Sequence, residues 1–397
     1  MATANQSLDH AQTEEKIGTD LLVLVTAMAP EHFKGVLANL ASAFSPTSFV
    51  IATQNELPVD LSPDLRIVPT PQSNAGWAIK PSDFVNAAHS GREHGAKAFL
   101  ILGPESDSLS PLALRSLADA VLAASVDLVL PHYSLPPNAG LINSAILYPL
   151  TRAVFASRVR FPLSIDLGMS SRMAERLAAV AETTSASNQP DALLWPVNEA
   201  VAAGFTADEV DVGTRAMPQP SDPDINSILA SITGSLFADI EAKAALWQRP
   251  RKPPLSRRTM SAEISFSDTS ADVARMVAAF QLANANLQEI WSLVLPPNSL
   301  LQLRRASALD AQNFRMPDNL WARIVYDFLI AYRLRTINRG HLLGALIPLY
   351  LAWVAGHFNV IKAGTPPERH IDAVAAAFEA DKPYLVARWR WPDRFNS

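Results

Sequence analysis

The chain has 397 residues, 49% of them hydrophobic, with a net charge of −5 and no cysteine. That length accommodates two or three domains with substantial cores. The missing cysteine excludes disulfides, thiolate nucleophiles and Cys-ligated zinc, and the small net charge implies no polyanionic partner, so no nucleic acid is expected. Residues 1–20 are polar and lack an apolar signal core; they read as a disordered lead into a cytoplasmic protein.

The first half alternates strand and helix patterns. Residues 21–28 (LLVLVTAM) form a continuous apolar run, as a strand covered on both faces requires. Pro30 opens a helix with Phe33, Val36, Leu37 and Leu40 at helical spacing. Strands are predicted at 48–53 and 65–69, a helix at 81–95 and a strand at 98–102. Ser110 and Pro111 then cap and open another helix. A strand at 126–131 completes a βαβ rhythm that predicts a mostly parallel sheet with helices on both faces.

Glu105 and Asp107 follow the 98–102 strand one residue apart. In an extended segment, side chains at i and i+2 point the same way. The pair can therefore converge just past a strand's carboxyl end, where open α/β sheets keep their ligands. Two hard oxygen donors there suit a divalent cation that grips a diphosphate; a solvated turn is the plainer alternative. Neither G-x-G-x-x-G nor G-x-x-x-x-G-K-[ST] occurs, which argues against a dinucleotide-binding dehydrogenase or a P-loop NTPase.

After residues 218–223 the strand signal stops. Helices are predicted at 225–247, 271–295, 318–335, 342–358 and 366–380, with a basic, proline-rich linker at 249–258. Residues 342–356 are almost wholly apolar but short of a spanning helix, and they read as a buried central helix with no transmembrane segment. The Trp/Arg-rich stretch 384–395 reads as a tail docked on the body by stacked guanidinium and indole groups, shaping an acceptor pocket or a homodimer contact.

Residues 131–181 (PHYSLPPNAGLINSAILYPLTRAVFASRVRFPLSIDLGMSSRMAERLAAVA) carry a family likeness. His132 and Tyr133 at a strand end, the tract Tyr148-Pro149-Leu150-Thr151-Arg152 and the turn Phe161-Pro162-Leu163-Ser164-Ile165-Asp166 resemble GT-A-fold glycosyltransferases of the mannosylglycerate synthase type. The resemblance implies an α/β fold: a GT-A, mostly parallel sheet domain over 21–220, followed by an all-helical domain over 221–397. It implies a retaining hexosyltransferase that moves sugar from a nucleotide-diphospho-sugar to a small polar, glycerate-like acceptor.

In that frame Glu105-Ser106-Asp107 matches the family's D-x-D motif, with Glu105 and Asp107 holding Mg²⁺ or Mn²⁺. Lys80, Ser106, His132 and Tyr133 contribute to donor binding. Asp166 contacts sugar or acceptor hydroxyls, and Asp191, in Gln189-Pro190-Asp191, orients the acceptor. The sequence departs from the family at three places. Segment 211–217 lacks the late His that serves as third metal ligand, Ile79 replaces the Gly beside Lys80, and Glu105 replaces the first Asp. The cation is therefore expected to be held mainly by the nucleotide. The competing expectation is a non-catalytic GT-A-like protein that binds a nucleotide-sugar or a partner. On their own residues, Asp166 and Asp191 also read as a loop acid and a helix N-cap.

Overall fold

The computed structural model describes residues 19–59, 62–73, 76–186, 193–218, 225–249 and 270–392. Residues 1–18 of the expected N-terminal lead, the Gln189-Pro190-Asp191 segment and nearly all of the basic linker lie outside the described residues. In the first half the elements run β1 (Leu21–Val25), α1 (Pro30–Ala43), β2 (Phe49–Thr53), β3 (Ile67–Pro69), α2 (Pro81–His94), β4 (Ala98–Leu102), α3 (Pro111–Leu122), β5 (Leu128–Ser134), α4 (Tyr148–Phe155), β6 (Asp166–Ser170), α5 (Ser171–Ala186), α6 (Pro196–Ala203) and β7 (Ala207–Thr214).

Seven strands among the described residues make one sheet in the order β3-β2-β1-β4-β6-β5-β7. β6 pairs antiparallel with both β4 and β5, and the other pairs are parallel. Six carboxyl ends therefore share one edge of the sheet with the amino end of β6. The alternation of β1 explains the two covered faces. Leu21, Val23 and Val25 pack with α1 and α3, whereas Leu22 and Leu24 pack with α2 and α5.

An all-helical region follows: α7 (Ile225–Ala242), α8 (Ala244–Trp247), α9 (Ser270–Asn286), α10 (Gln288–Val294), α11 (Pro297–Ser307), α12 (Asp318–Leu334), α13 (Arg339–Lys362) and α14 (Pro367–Arg390). The helix expected over 271–295 is two helices, because Leu287 leaves helical geometry (φ −106°, ψ 13°). The expected C-terminal tail is instead the last third of α14, which runs through Pro383. Asp381 pairs with Arg323 and Tyr384 donates to Asp327, holding that stretch against α12. The foreseen stacking is present, with Arg333 of α12 4.2 Å from the Trp389 ring centroid.

α13 is long and apolar enough to cross a membrane, yet 61% of its most apolar window is buried inside the fold. α14 also joins the two halves. Arg152 of α4 pairs with Asp372 and Glu379, and Arg160 pairs with Glu368 while lying over the Tyr148 and Phe161 rings. The Tyr148–Arg152 tract singled out in the sequence thus grips α14.

His357 of α13 clusters with Trp353 and His370, its ring 5.0 Å from each of theirs and those two 6.1 Å from each other, with its Nδ1 2.7 Å from the Nδ1 of His370. Burial first, then His370 and Arg160, pull its pKa from 6.5 down to about 3. His357 is therefore neutral in the fold while the unfolded chain takes up a proton below 6.5, so stability falls as pH drops from there toward about 3. Replacing His357→Gln should flatten the decline in melting temperature between pH 6.5 and 4. An unchanged acid-side slope would show that His357 does not govern it.

Candidate active site

The reversal of β6 explains how its first residue reaches the working edge of the sheet. Asp166 pairs in register with Leu102, the last residue of β4. Its side chain is fully buried, as is that of Arg215 just beyond β7. Oδ1 of Asp166 accepts from the Gly103 amide at 3.1 Å and from Arg215 Nη2 at 3.2 Å. Oδ2 accepts from the Tyr133 hydroxyl at 3.0 Å and from Arg215 Nε at 2.9 Å.

The rest of the Arg215 fork is also engaged. Nη2 donates to the Pro104 carbonyl at 2.7 Å, and Nη1 donates to the carbonyls of Glu105 and Ala216, each at 2.6 Å. Burial works against the charge of Arg215, but Asp166 outweighs it and raises the guanidinium pKa. Burial and the Asp166 charge push the Tyr133 phenol well above its ordinary value. Gly103 has no room for a side chain, since a Cβ there would stand 2.3 Å from the Ile165 carbonyl oxygen. Asp166 and Tyr133 therefore tie β4, β5, β6 and the end of β7 together and do not face solvent.

The turn after β4 departs from the extended geometry expected of it. Glu105 adopts φ 58° and Ser106–Ser108 form a single 3₁₀ turn, so the i, i+2 rule does not apply. Asp107 instead reaches α1, where both its oxygens meet His32 Nδ1, at 3.0 and 3.1 Å. Asn39 donates to the carbonyls of Asp107 and Leu109 at 2.8 and 3.0 Å. Ser106 is fully buried, and its hydroxyl meets no partner among the described residues. The hydrogen bond to Asp107 raises the His32 pKa, desolvation opposes the rise, and the charges of Asp107, Glu105 and Glu31 add to it.

Lys80 precedes α2, where its backbone amide donates to Asp83 at 2.8 Å. It makes no ion pair with Glu105 or Asp107 among the described residues. His132 meets Phe161 edge-on, with ring centroids 5.9 Å apart. A β-bulge separates His132 from Tyr133 in the β5–β7 register, with Gly213 at φ 71°. Two cavities of about 650 and 640 Å³ contain none of these residues. One is lined by Trp195, Glu199, Asp239, Lys243 and Arg339, the other by Asp20, Lys97, Asp127 and Arg172 at the opposite edge.

Strand order gives this turn its significance. β1 leads through α1 outward to β2, while the chain returns on the other side of β1 to form β4. The crevice between the carboxyl ends of β1 and β4 is the topological switch point, where open α/β sheets bind ligands. His32 and Asp107 meet across it. Asn55 braces the β1 side, accepting from the Met28 amide at 2.9 Å and donating to the Thr26 carbonyl at 2.8 Å.

Among the described residues no three His, Asp or Glu side chains gather as a metal cage. The donor set nevertheless fits a divalent cation completed by phosphate oxygens, since a carboxylate and an imidazole already stand together at the edge.

No protein-family model and no curated protein matches the chain. Solved structures of glucosyl-3-phosphoglycerate synthase from Mycobacterium tuberculosis are similar at 13% identity. One contains Mn²⁺, UDP and glucosyl-3-phosphoglycerate and superposes with a TM-score of 0.38 over 57% of this chain and 80% of the enzyme. Another contains Mg²⁺ and UDP, with a TM-score of 0.38 over 57% and 79% of the two chains. By its own elements the chain has a mixed sheet in its first half, followed by an all-helical region among the described residues.

Arg215→Met should leave Asp166 buried without its counter-charge, costing about 3–5 kcal/mol in urea denaturation. Adding Asp166→Asn to that variant should recover part of the loss. A change below about 1 kcal/mol, the range of an exposed ion pair, would contradict the buried tie described above.

Proposed function

We propose that the protein binds a nucleotide-diphospho-sugar across the β1/β4 crevice and transfers its sugar to a small polar acid of glycerate type. The observation that supports this most is the meeting of His32 and Asp107 at the switch point, at the edge where Glu105 also lies. The edge is acidic, with Glu31, Glu105 and Asp107 all acting on His32. A diphosphate entering alone would be repelled, so it enters with a divalent cation.

Glu105 and Asp107 would hold Mg²⁺ or Mn²⁺, which when bound neutralises charge growing on the leaving diphosphate. The chain's own residues do the remaining work. Thr26–Met28, braced by Asn55, would border the nucleoside, and Lys80 would offer a cation to the phosphates from the head of α2. Ser106, whose hydroxyl meets no partner among the described residues, would contribute to donor binding. His132 would line the sugar side, and Asp191 would orient the acceptor. Asp166 and Tyr133, closed off from solvent, act as positioning residues that fix the strand ends. A cytoplasmic location accords with this reading.

A second reading has its own support: the carboxylate expected to touch the sugar is fully neutralised by Arg215, which suits a protein that binds the donor without turning it over. Thermal shift against UDP-, GDP- and ADP-sugars, with and without Mn²⁺, tests both. A ligand at 100 times its Kd stabilises the fold by about 2.7 kcal/mol. The first reading expects a metal-dependent shift with one donor, and sugar transfer to glycerate or phosphoglycerate. Metal-dependent binding without transfer or hydrolysis supports the second. No shift with any nucleotide sugar overturns both.

A further inference from the structure

Three helices of the C-terminal half end together. Arg333, in the last turn of α12, donates to the Trp389 carbonyl of α14 at 2.6 Å. The Trp389 ring meets the Trp247 ring of α8 edge-on, with centroids 5.0 Å apart, and Arg390 Nε donates to the Gln248 side chain at 3.1 Å. The residues just outside this knot face solvent. Leu334 is 45% and Trp391 63% exposed, and Arg249, Arg335 and Arg390 are exposed with them. Segments 244–249 (AALWQR), 333–339 (RLRTINR) and 388–392 (RWRWP) contain no acid. Arg339 and Arg388 are tied to Glu241 and Asp327, but among the described residues no acid pairs with Arg249, Arg335 or Arg390. In a chain of net charge −5, this end is locally basic. Helix carboxyl ends attract cations to their own carbonyls, which accounts for Arg335 and Arg390. It does not account for a leucine and an indole left bare beside them.

We propose that this end of the helical region is a docking surface for an anionic phospholipid bilayer. Trp391 and Leu334 enter the headgroup layer, while Arg249, Arg335 and Arg390 meet the lipid phosphates. An indole, apolar in its rings and polar at one N–H, suits that layer. A guanidinium reaches a phosphate through two parallel hydrogen bonds. A second copy of the chain fits the surface poorly, because a two-fold contact sets a patch against itself and would bring these cations together. The surface uses no residue of the β1/β4 crevice, so it stands apart from the donor reading above.

Flotation of the full-length protein with vesicles tests the proposal. Vesicles of phosphatidylglycerol and phosphatidylcholine should bind it, increasingly weakly as salt is raised, and vesicles of phosphatidylcholine alone should not. Each cation brought to an anionic leaflet strengthens binding roughly fivefold. Arg335→Gln combined with Arg390→Gln should therefore bind about 25-fold more weakly, at an unchanged melting temperature. Trp391 is the one exposed tryptophan of eight. Tryptophan emission should accordingly shift to the blue on adding anionic vesicles, and Trp391→Phe should remove that shift. Equal binding to both vesicle types, binding to neither, full binding by the double variant, or a blue shift that survives Trp391→Phe overturns the proposal. A Trp391 response to single-stranded RNA with none to the vesicles also overturns it and makes the surface a nucleic-acid contact.

Discussion

The buried pair between Asp166 and Arg215 is the constraint on which the working edge depends. Two opposite charges removed from water are tolerated only when every remaining donor and acceptor is met. Here they are met by the Gly103 amide, the Tyr133 hydroxyl and the carbonyls of Pro104, Glu105 and Ala216. Those partners come from the ends of β4, β5 and β7, so satisfying one ion pair sets the position of three strand ends. Two of those carbonyls, of Pro104 and Glu105, open the turn that bears Glu105 and Asp107. Its unusual left-handed Glu105 is held by the same guanidinium, and strain of that kind persists only when the surroundings over-determine it.

A second layer of constraint comes from α1. Asn39 and Gly35 accept the turn, and His32 meets its acid, so the crevice between β1 and β4 is closed on one side by a helix and on the other by the Arg215 network. The helical region supports this from further away. Its α14 grips α4 and the loop before β6 through Arg152 and Arg160. Side chains of α4 also belong to the same apolar cluster as α12 and α13. The route from the helical region to the edge therefore passes through the segment that ends at Asp166.

Much of the sheet was legible because β1, β2 and β4 are buried on both faces and show as unbroken apolar runs. β6 and β7 were not. β6 reads DLGMS, in which an aspartate and a glycine hide a buried strand. β7 reads ADEVDVGT, an edge strand with acidic residues on its open positions. Without β6 there was no means of placing Asp166 at the carboxyl edge pointing inward. The helices emerged from their period, but the break at Leu287 and the continuation of α14 through Pro383 depend on tertiary partners that local pattern does not carry.

Within the site, Glu105 and Asp107 were visible as acids after a strand, whereas His32 and Arg215 became meaningful only through contacts 75 and 49 residues away in sequence. One signal for His32 was available, namely a titratable residue in the first turn after β1 at the switch point of the sheet. The proposed function requires a nucleoside diphosphate in the β1/β4 crevice. Hydrogen–deuterium exchange with and without UDP and Mn²⁺ tests that most directly. Protection concentrated in residues 26–34 and 103–109 is the predicted result. Protection centred instead on the cleft lined by Trp195, Asp239 and Arg339, or no protection at saturating UDP and Mn²⁺, would contradict it.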